Sequence, residues 1–422
     1  MNAFDTAKLA DRNRGVSFRF RKLWLLAHRW LGLTIGLVFV LIGLTGSLLV
    51  FDHAIDEQLN SDLLLTKGSG QTRTVAEIIE AAEASYDDGA KHALSVSRPR
   101  VDDGVWAVWF AGGTDQSPKY TAVYVDPYSA SVTGQRVWGE DLMSWIYRLH
   151  FQLVAGRIGS IIVGIIGVLV LLSIGSGVLL WWPLWKHSWR AAFAIRRGRR
   201  FNYDIHKTFG IISASFLVVI TFTGVYMEFP AVFTAVAGVF SEVSEEPRDL
   251  TSEPQDSRKP LTPDEAIAIA RSTFPNAKFD HLHPPASENG TYEVAFRQPD
   301  EVQTSYGRSQ VFLDQYSGRV LSVRSPADFS AADAFFAWQF PLHNGEAFGL
   351  MGRWAVLFLG LTPALLYISG AIVWWRKRRP RHAKNRPSAG EPSVTESVAD
   401  SVTDTDGSRV PRAKELVSGP AR

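Results

Sequence analysis

The chain has 422 residues, 44 Lys+Arg against 42 Asp+Glu, a formal net charge of +2 and no cysteine. So even a balance argues against a nucleic-acid binder, and the lack of thiols excludes disulfides, iron–sulfur clusters, thiolate zinc sites and a cysteine nucleophile. Four apolar runs, 31–51, 158–182, 209–227 and 354–375, contain no Lys, Arg, Asp or Glu. Each is close to the ~20 residues that a helix needs to cross a bilayer, which excludes a soluble fold.

In chain order, a basic N-terminal stretch (1–22) precedes a first transmembrane helix over 23–53. Its apolar run follows basic residues as a signal peptide's does. It is too long for such a segment and no small-x-small cleavage site follows, so it reads as a retained anchor. An external α+β domain is expected over 54–140. There Thr74-Val-Ala-Glu77 opens an Ala/Ile-rich amphipathic run and fits a capping box. The alternating stretches 105–110 and 120–126 read as strands, and Asp126-Pro-Tyr-Ser-Ala130 as a tight turn. A second transmembrane helix is expected over 141–185, a basic loop over 186–203 and a third helix over 204–230. A second external domain, 231–335, repeats the order of the first: Thr262-Pro-Asp-Glu265, strands 292–296 and 310–314, and the turn Asp314-Gln-Tyr-Ser-Gly318. A fourth transmembrane helix is expected over 336–378. The tail, 379–422, is rich in Ser, Pro, Glu, Arg and Val without periodicity and is expected to be disordered. The fold class is therefore an α-helical integral membrane protein with four transmembrane helices, two external α+β domains and an internal two-fold repeat.

Charge sets the orientation. Seven Lys or Arg fall in 1–29, seven in 183–207 and seven in 376–386, whereas 52–66 and 228–247 hold none. The positive-inside rule places both termini and the short loop in the cytoplasm and both long segments outside. Trp181, Trp182, Trp374 and Trp375 then lie at the cytoplasmic interface, where indole rings settle.

The repeat also organises the histidines. His28 and His206 are each followed by Gly at +4 (Gly32, Gly210) and by Thr-Gly at +17 and +18 (Thr45-Gly46, Thr223-Gly224). His150 and His343 are each followed by Gly-Arg or Gly at +6, by Gly at +27 (Gly177, Gly370) and by a Trp pair at +31 and +32. The orientation puts His28 and His206 near the cytoplasmic face and His150 and His343 near the external face. Two like pairs, one at each surface, form the pattern of two haems, each clamped between two axial imidazoles. The +18 spacing is five helical turns, so Gly46 and Gly224 share a face with their histidines, and Gly32 and Gly210 lie roughly 40° away. Such glycines either leave room for a flat macrocycle or allow close helix packing. The +27 spacing gives no shared face, so that pair begins before its continuous helix does.

Other residues are open to two readings. Asp204, two residues before His206, is a candidate to orient an imidazole. His53, beside Asp52, is a weaker third candidate ligand at the outer surface. Arg157 and Arg353 are either snorkelling anchors or partners for haem propionates. His281 and His283 alternate on a short stretch before Pro284; two ligands are few for a metal site, and they read as solvated loop histidines. No dinucleotide fingerprint, P-loop, H-E-x-x-H or G-x-S-x-G occurs, so the chain shows no nicotinamide, flavin or ATP domain of its own and no hydrolase site.

The runs His28-Arg-Trp-Leu-Gly32, Leu44-Thr-Gly46, Leu149-His150, Gly156-Arg157, Asp204-Ile-His206-Lys-Thr-Phe-Gly210, Pro341-Leu-His343-Asn-Gly345 and Gly352-Arg353 resemble the PepSY-associated transmembrane family of bacterial inner-membrane proteins over about 18–380. The turns at 126–130 and 314–318 resemble the end of a PepSY domain. The resemblance implies periplasmic PepSY-like domains. It also implies a di-haem b-type protein that passes electrons from a cytoplasmic donor, a reductase or a quinol, to a periplasmic ferric siderophore. Other members are iron-regulated membrane proteins, and PepSY domains elsewhere inhibit peptidases. The alternative is thus a non-enzymatic, membrane-tethered PepSY module that binds an envelope peptidase or senses a ligand.

Overall fold

The computed structural model describes residues 20–87, 92–114, 117–245, 247, 249–254 and 258–378. Most of the basic stretch expected over 1–22, and all of the tail expected over 379–422, lie outside them. The described residues begin with α1 (Phe20–Thr34) and α2 (Gly36–Leu49). They continue through α3 (Asp52–Leu59), α4 (Ser61–Leu64), α5 (Val75–Ser85), β1 (Ser95–Ser97), β2 (Trp106–Thr114), β3 (Ser117–Val125) and β4 (Val132–Val137). Helices α6 (Leu142–Gln152), α7 (Gly156–His187), α8 (Trp189–Phe193), α9 (Phe201–Glu228), α10 (Pro230–Ala237) and α11 (Pro263–Arg271) follow. The last elements are β5 (Lys278–His283), β6 (Thr291–Arg297), β7 (Ser309–Asp314), β8 (Val320–Arg324), α12 (Ala331–Asn344) and α13 (Gly349–Arg378).

Among the described residues, three helical stretches are long and apolar enough to cross a membrane: Gly156–His187, Gly198–Glu228 and Glu346–Arg378. The α1–α2 pair adds a fourth if it is counted as one span, although the two helices meet at 55°. The first helix expected over 23–53 is therefore broken at Ile35. Two features sit at the bend. Thr34 Oγ1 donates to the Trp30 carbonyl at 2.8 Å, a back-bond that bends helices. Gly36 also lets the ring of Tyr367 in so closely that a Cβ there would stand 2.9 Å from it.

The helices expected over 141–185 and 336–378 are also each two helices. Leu153 (φ 50°) and Val154 (φ 56°) end α6, and Gly345 (φ 87°) and Gly349 (φ 60°) separate α12 from α13. Left-handed residues of this kind stop a helix. As a result His150 and His343 sit on short helices that lead into the long ones.

The strands form one antiparallel sheet in the order β4-β3-β2-β1-β5-β6-β7-β8. Its centre joins the two external segments, with Val96 opposite Leu282 and Ser97 opposite His281. Helices α5 and α11 cover one face. Ile78, Ala82, Ala266 and Ala270 pack there on Val96, Val108, Phe110, Leu282, Val294 and Phe296 in a single buried cluster. Full burial of each large side chain contributes about 1.5–3 kcal/mol. Both capping boxes are formed. Asp264 in the first turn of α11 also accepts from the amides of Val75 and Ala76 at 2.9 Å, so it satisfies the open N-terminus of α5. In the two turns, Asp126 accepts from the amides of Tyr128 and Ser129, and Asp314 from those of Tyr316 and Ser317.

In the helical region, α2 packs on α13, α7 on α9 and α9 on α13. Small residues set the approach: a Cβ on Gly43 would stand 2.6 Å from the Gly360 carbonyl oxygen, and Ser47 donates across the same contact to the Leu357 carbonyl. Gly43→Val is expected to destabilise the folded protein by about 1–3 kcal/mol or more through overpacking. Thermal unfolding of the detergent-solubilised chain measures this.

Candidate functional site

The histidines come together in the pairs that their spacing indicated. The ring centroids of His28 on α1 and His206 on α9 are 6.0 Å apart, and those of His150 on α6 and His343 on α12 are 6.1 Å apart. A metal–imidazole bond of about 2.0 Å, plus roughly 1.1 Å from ring nitrogen to ring centre, puts two imidazoles on one metal about 6.2 Å apart. The centroid separations of both pairs are close to that value.

Each ring is held by another helix in the same way. His28 Nδ1 lies 3.0 Å from the Ser173 carbonyl on α7, and His206 Nδ1 2.9 Å from that of Leu366 on α13. His150 Nδ1 lies 2.9 Å from the Ile42 carbonyl on α2, and His343 Nδ1 2.9 Å from that of Ile220 on α9. A carbonyl only accepts, so the hydrogen of each neutral ring is on Nδ1 and the lone pair on Nε2. Three residues after each carbonyl stands a hydroxyl, Ser176, Ser369, Thr45 or Thr223, within 3.0–3.2 Å of the same Nδ1. Ser176 and Ser369 donate their hydrogen back to that carbonyl, and Thr45 and Thr223 share theirs between it and the carbonyl one residue earlier.

The residue after each hydroxyl is glycine. A Cβ would stand 3.1 Å from His28 at Gly177, 3.2 Å from His206 at Gly370, 2.7 Å from His150 at Gly46 and 3.2 Å from His343 at Gly224. The structure thus gives Gly46 and Gly224 a different task from room beside a macrocycle: they admit an imidazole from a neighbouring helix. Gly32 and Gly210 do border open space. Nothing lies within 4 Å of a Cβ at Gly32, and only Leu366, at 3.7 Å, does at Gly210. The Ser-Gly and Thr-Gly dipeptides in all four long or paired helices were the sequence signal for these anchors. The serines, Ser176 and Ser369, stand on helices other than those of the histidines they meet, so no spacing from those histidines marks them.

The remaining candidates lie elsewhere or do other work. Asp204 does not touch His206. It is fully buried and takes a two-pronged ion pair from Arg196 at 2.8 and 2.9 Å, with Lys207 at 3.4 Å. It ties the basic loop to the start of α9. Arg353 donates to the Val50 carbonyl at the end of α2 and stacks on Phe51, 4.8 Å from the ring centre. Arg157 is exposed. His53 is half-exposed, with its ring 3.7 Å from Asp52. His281 and His283 are strand residues of β5, not loop residues, and His281 is buried.

The family model described as the PepSY-associated TM region matches residues 25–377, from α1 to α13, a range that includes all four histidines. No curated protein matches the chain.

Removing the Asp204 carboxylate would leave buried Lys207 without its counter-ion. Asp204→Ala is expected to cost about 3–5 kcal/mol of stability, read as a lowered Tm in detergent.

Proposed function

This chain belongs to the PepSY-associated TM family, and we propose that it is a di-haem b-type electron-transfer protein of the bacterial inner membrane. The reading counts α1–α2 as one of four spans and sets both termini in the cytoplasm. The two α+β segments are then periplasmic PepSY-like domains related by an internal repeat. Equivalent capping boxes, equivalent turn aspartates and equivalent histidine anchors support the repeat.

The observation that carries the reading is the pairing of imidazoles at 6.0 and 6.1 Å, with every Nδ1 committed to a carbonyl. A haem on each pair would supply one-electron redox chemistry. His28 and His206 would hold the inner group, and His150 and His343 the outer one, through Nε2. The carbonyl anchors fix tautomer and ring orientation and raise ligand basicity. Arg157 retains an exposed guanidinium for a propionate, whereas Arg353 is engaged at Val50.

The electron donor in this proposal is a cytoplasmic reductase or a quinol, and the acceptor a ferric siderophore at the periplasmic face. Each Fe(III) takes up one electron, which the donor loses. The Fe(II) product binds hard oxygen donors less tightly and is released.

Purified protein, reduced with dithionite, is expected to show a b-type spectrum with two haems per chain by pyridine haemochromogen. His343→Ala is expected to hold one. Two haems retained in His343→Ala would overturn the ligand assignment. A colourless protein from haem-replete cells would overturn the redox reading and favour a PepSY binding module.

A further inference from the structure

The sheet carries a second constellation, separate from the helical pairs. β5 and β6 pair so that His283 stands opposite Glu293, and His281, two residues along β5, shares the face of His283. One ligand atom from each of the three lies within 4.8 Å of the other two. A tetrahedral ion with bonds of about 2.0–2.1 Å holds its ligand atoms about 3.3 Å apart, so side-chain adjustment of an ångström or so closes the set.

All three side chains are steered from behind. His281 Nδ1 lies 3.0 Å from an Asp280 carboxylate oxygen, and His283 Nδ1 lies 3.1 Å from the Leu94 carbonyl. Gln310 Nε2 donates to Glu293 at 2.6 Å. A carboxylate or carbonyl behind Nδ1 and an amide behind the acid is how metal-binding side chains are oriented. Tyr306 donates its hydroxyl to Nε2 of His281 at 2.9 Å, in the place that an ion would take. A purely structural role explains His281, engaged at both nitrogens. It does not explain why His283 and Glu293 converge on it. His281 and His283 border an open cleft of about 480 Å³, which Trp109, Tyr120, Trp138 and Tyr306 also line.

We propose that His281, His283 and Glu293 form a binding site for one divalent first-row transition metal ion, with its free coordination positions facing this cleft. Two imidazoles and one carboxylate suit such ions, and the open positions leave room for water or a ligand from the cleft. On binding, the ion displaces the Tyr306 hydroxyl from Nε2 of His281.

The test uses untagged, full-length, detergent-solubilised protein, freed of metal with EDTA and titrated with Zn²⁺ by calorimetry, with elemental analysis after dialysis. One chelator-sensitive Zn²⁺ per chain is expected. His283→Ala and Glu293→Gln are each expected to weaken binding by tenfold or more, and Tyr306→Phe, which removes the competing donor, to tighten it. Haem content, measured in parallel, is expected to be the same in all, which separates this site from the histidine pairs. Absence of a stoichiometric site in the wild-type protein overturns the proposal without recourse to any variant. So does a site whose affinity both His283→Ala and Glu293→Gln leave unchanged.

Discussion

The helical region depends on one interaction made four times, the donation of an Nδ1 hydrogen to a main-chain carbonyl of another helix. An α-helical carbonyl already accepts from its own amide four residues on, and it has a second lone pair to offer. To reach it, the ring must enter a crowded surface, and the glycine four residues beyond each carbonyl removes the side chain that would block entry. The Ser or Thr between them places its hydroxyl oxygen 3.0–3.2 Å from the same Nδ1, beside the carbonyl. Carbonyl, hydroxyl and glycine thus act as one socket, and four sockets hold four rings.

The sockets also explain how the helices are joined. α1 is tied to α7, α6 to α2, α9 to α13 and α12 to α9, so each histidine is a cross-link between elements distant in sequence. Water is scarce among apolar helices, and an imidazole N–H left without an acceptor there would carry a desolvation cost of about 1–3 kcal/mol. The anchors remove that cost and at the same time fix which nitrogen keeps a lone pair. The breaks at Leu153–Val154 and at Gly345 separate α6 and α12 from the long helices, and it is on these short helices that His150 and His343 meet.

Outside the helices, the two α+β segments are less independent than two separate domains would be. β1 and β5 form the centre of a single sheet, and α5 and α11 share one core and a cross-cap through Asp264. The same central pairing places β5, with His281 and His283, beside β1, so that Leu94 can reach His283 from the other segment. Those two histidines looked like solvated loop residues because β5 is short and precedes two prolines. Glu293, which completes the group, is ten residues away and meets them only through strand pairing.

The sequence by itself determined the features that short-range physics enforces. Apolar runs without charge specify long helices; a hydroxyl three residues before Glu specifies each capping box; an Asp before Tyr-Ser specifies each turn; equal offsets matched His28 to His206 and His150 to His343. These follow from spacing along the chain, and the structure forms both capping boxes and both turns where the spacing set them. Only the tertiary structure decided the partners that lie far apart in sequence. His150 meets Ile42 across 108 residues and His206 meets Leu366 across 160, and no period in the sequence encodes such a contact. The 55° bend at Ile35, the engagement of Asp204 by Arg196 in place of His206, and the β1–β5 junction belong to the same class. Each is settled by which surfaces meet once the helices and strands pack, and local propensity cannot choose among those meetings.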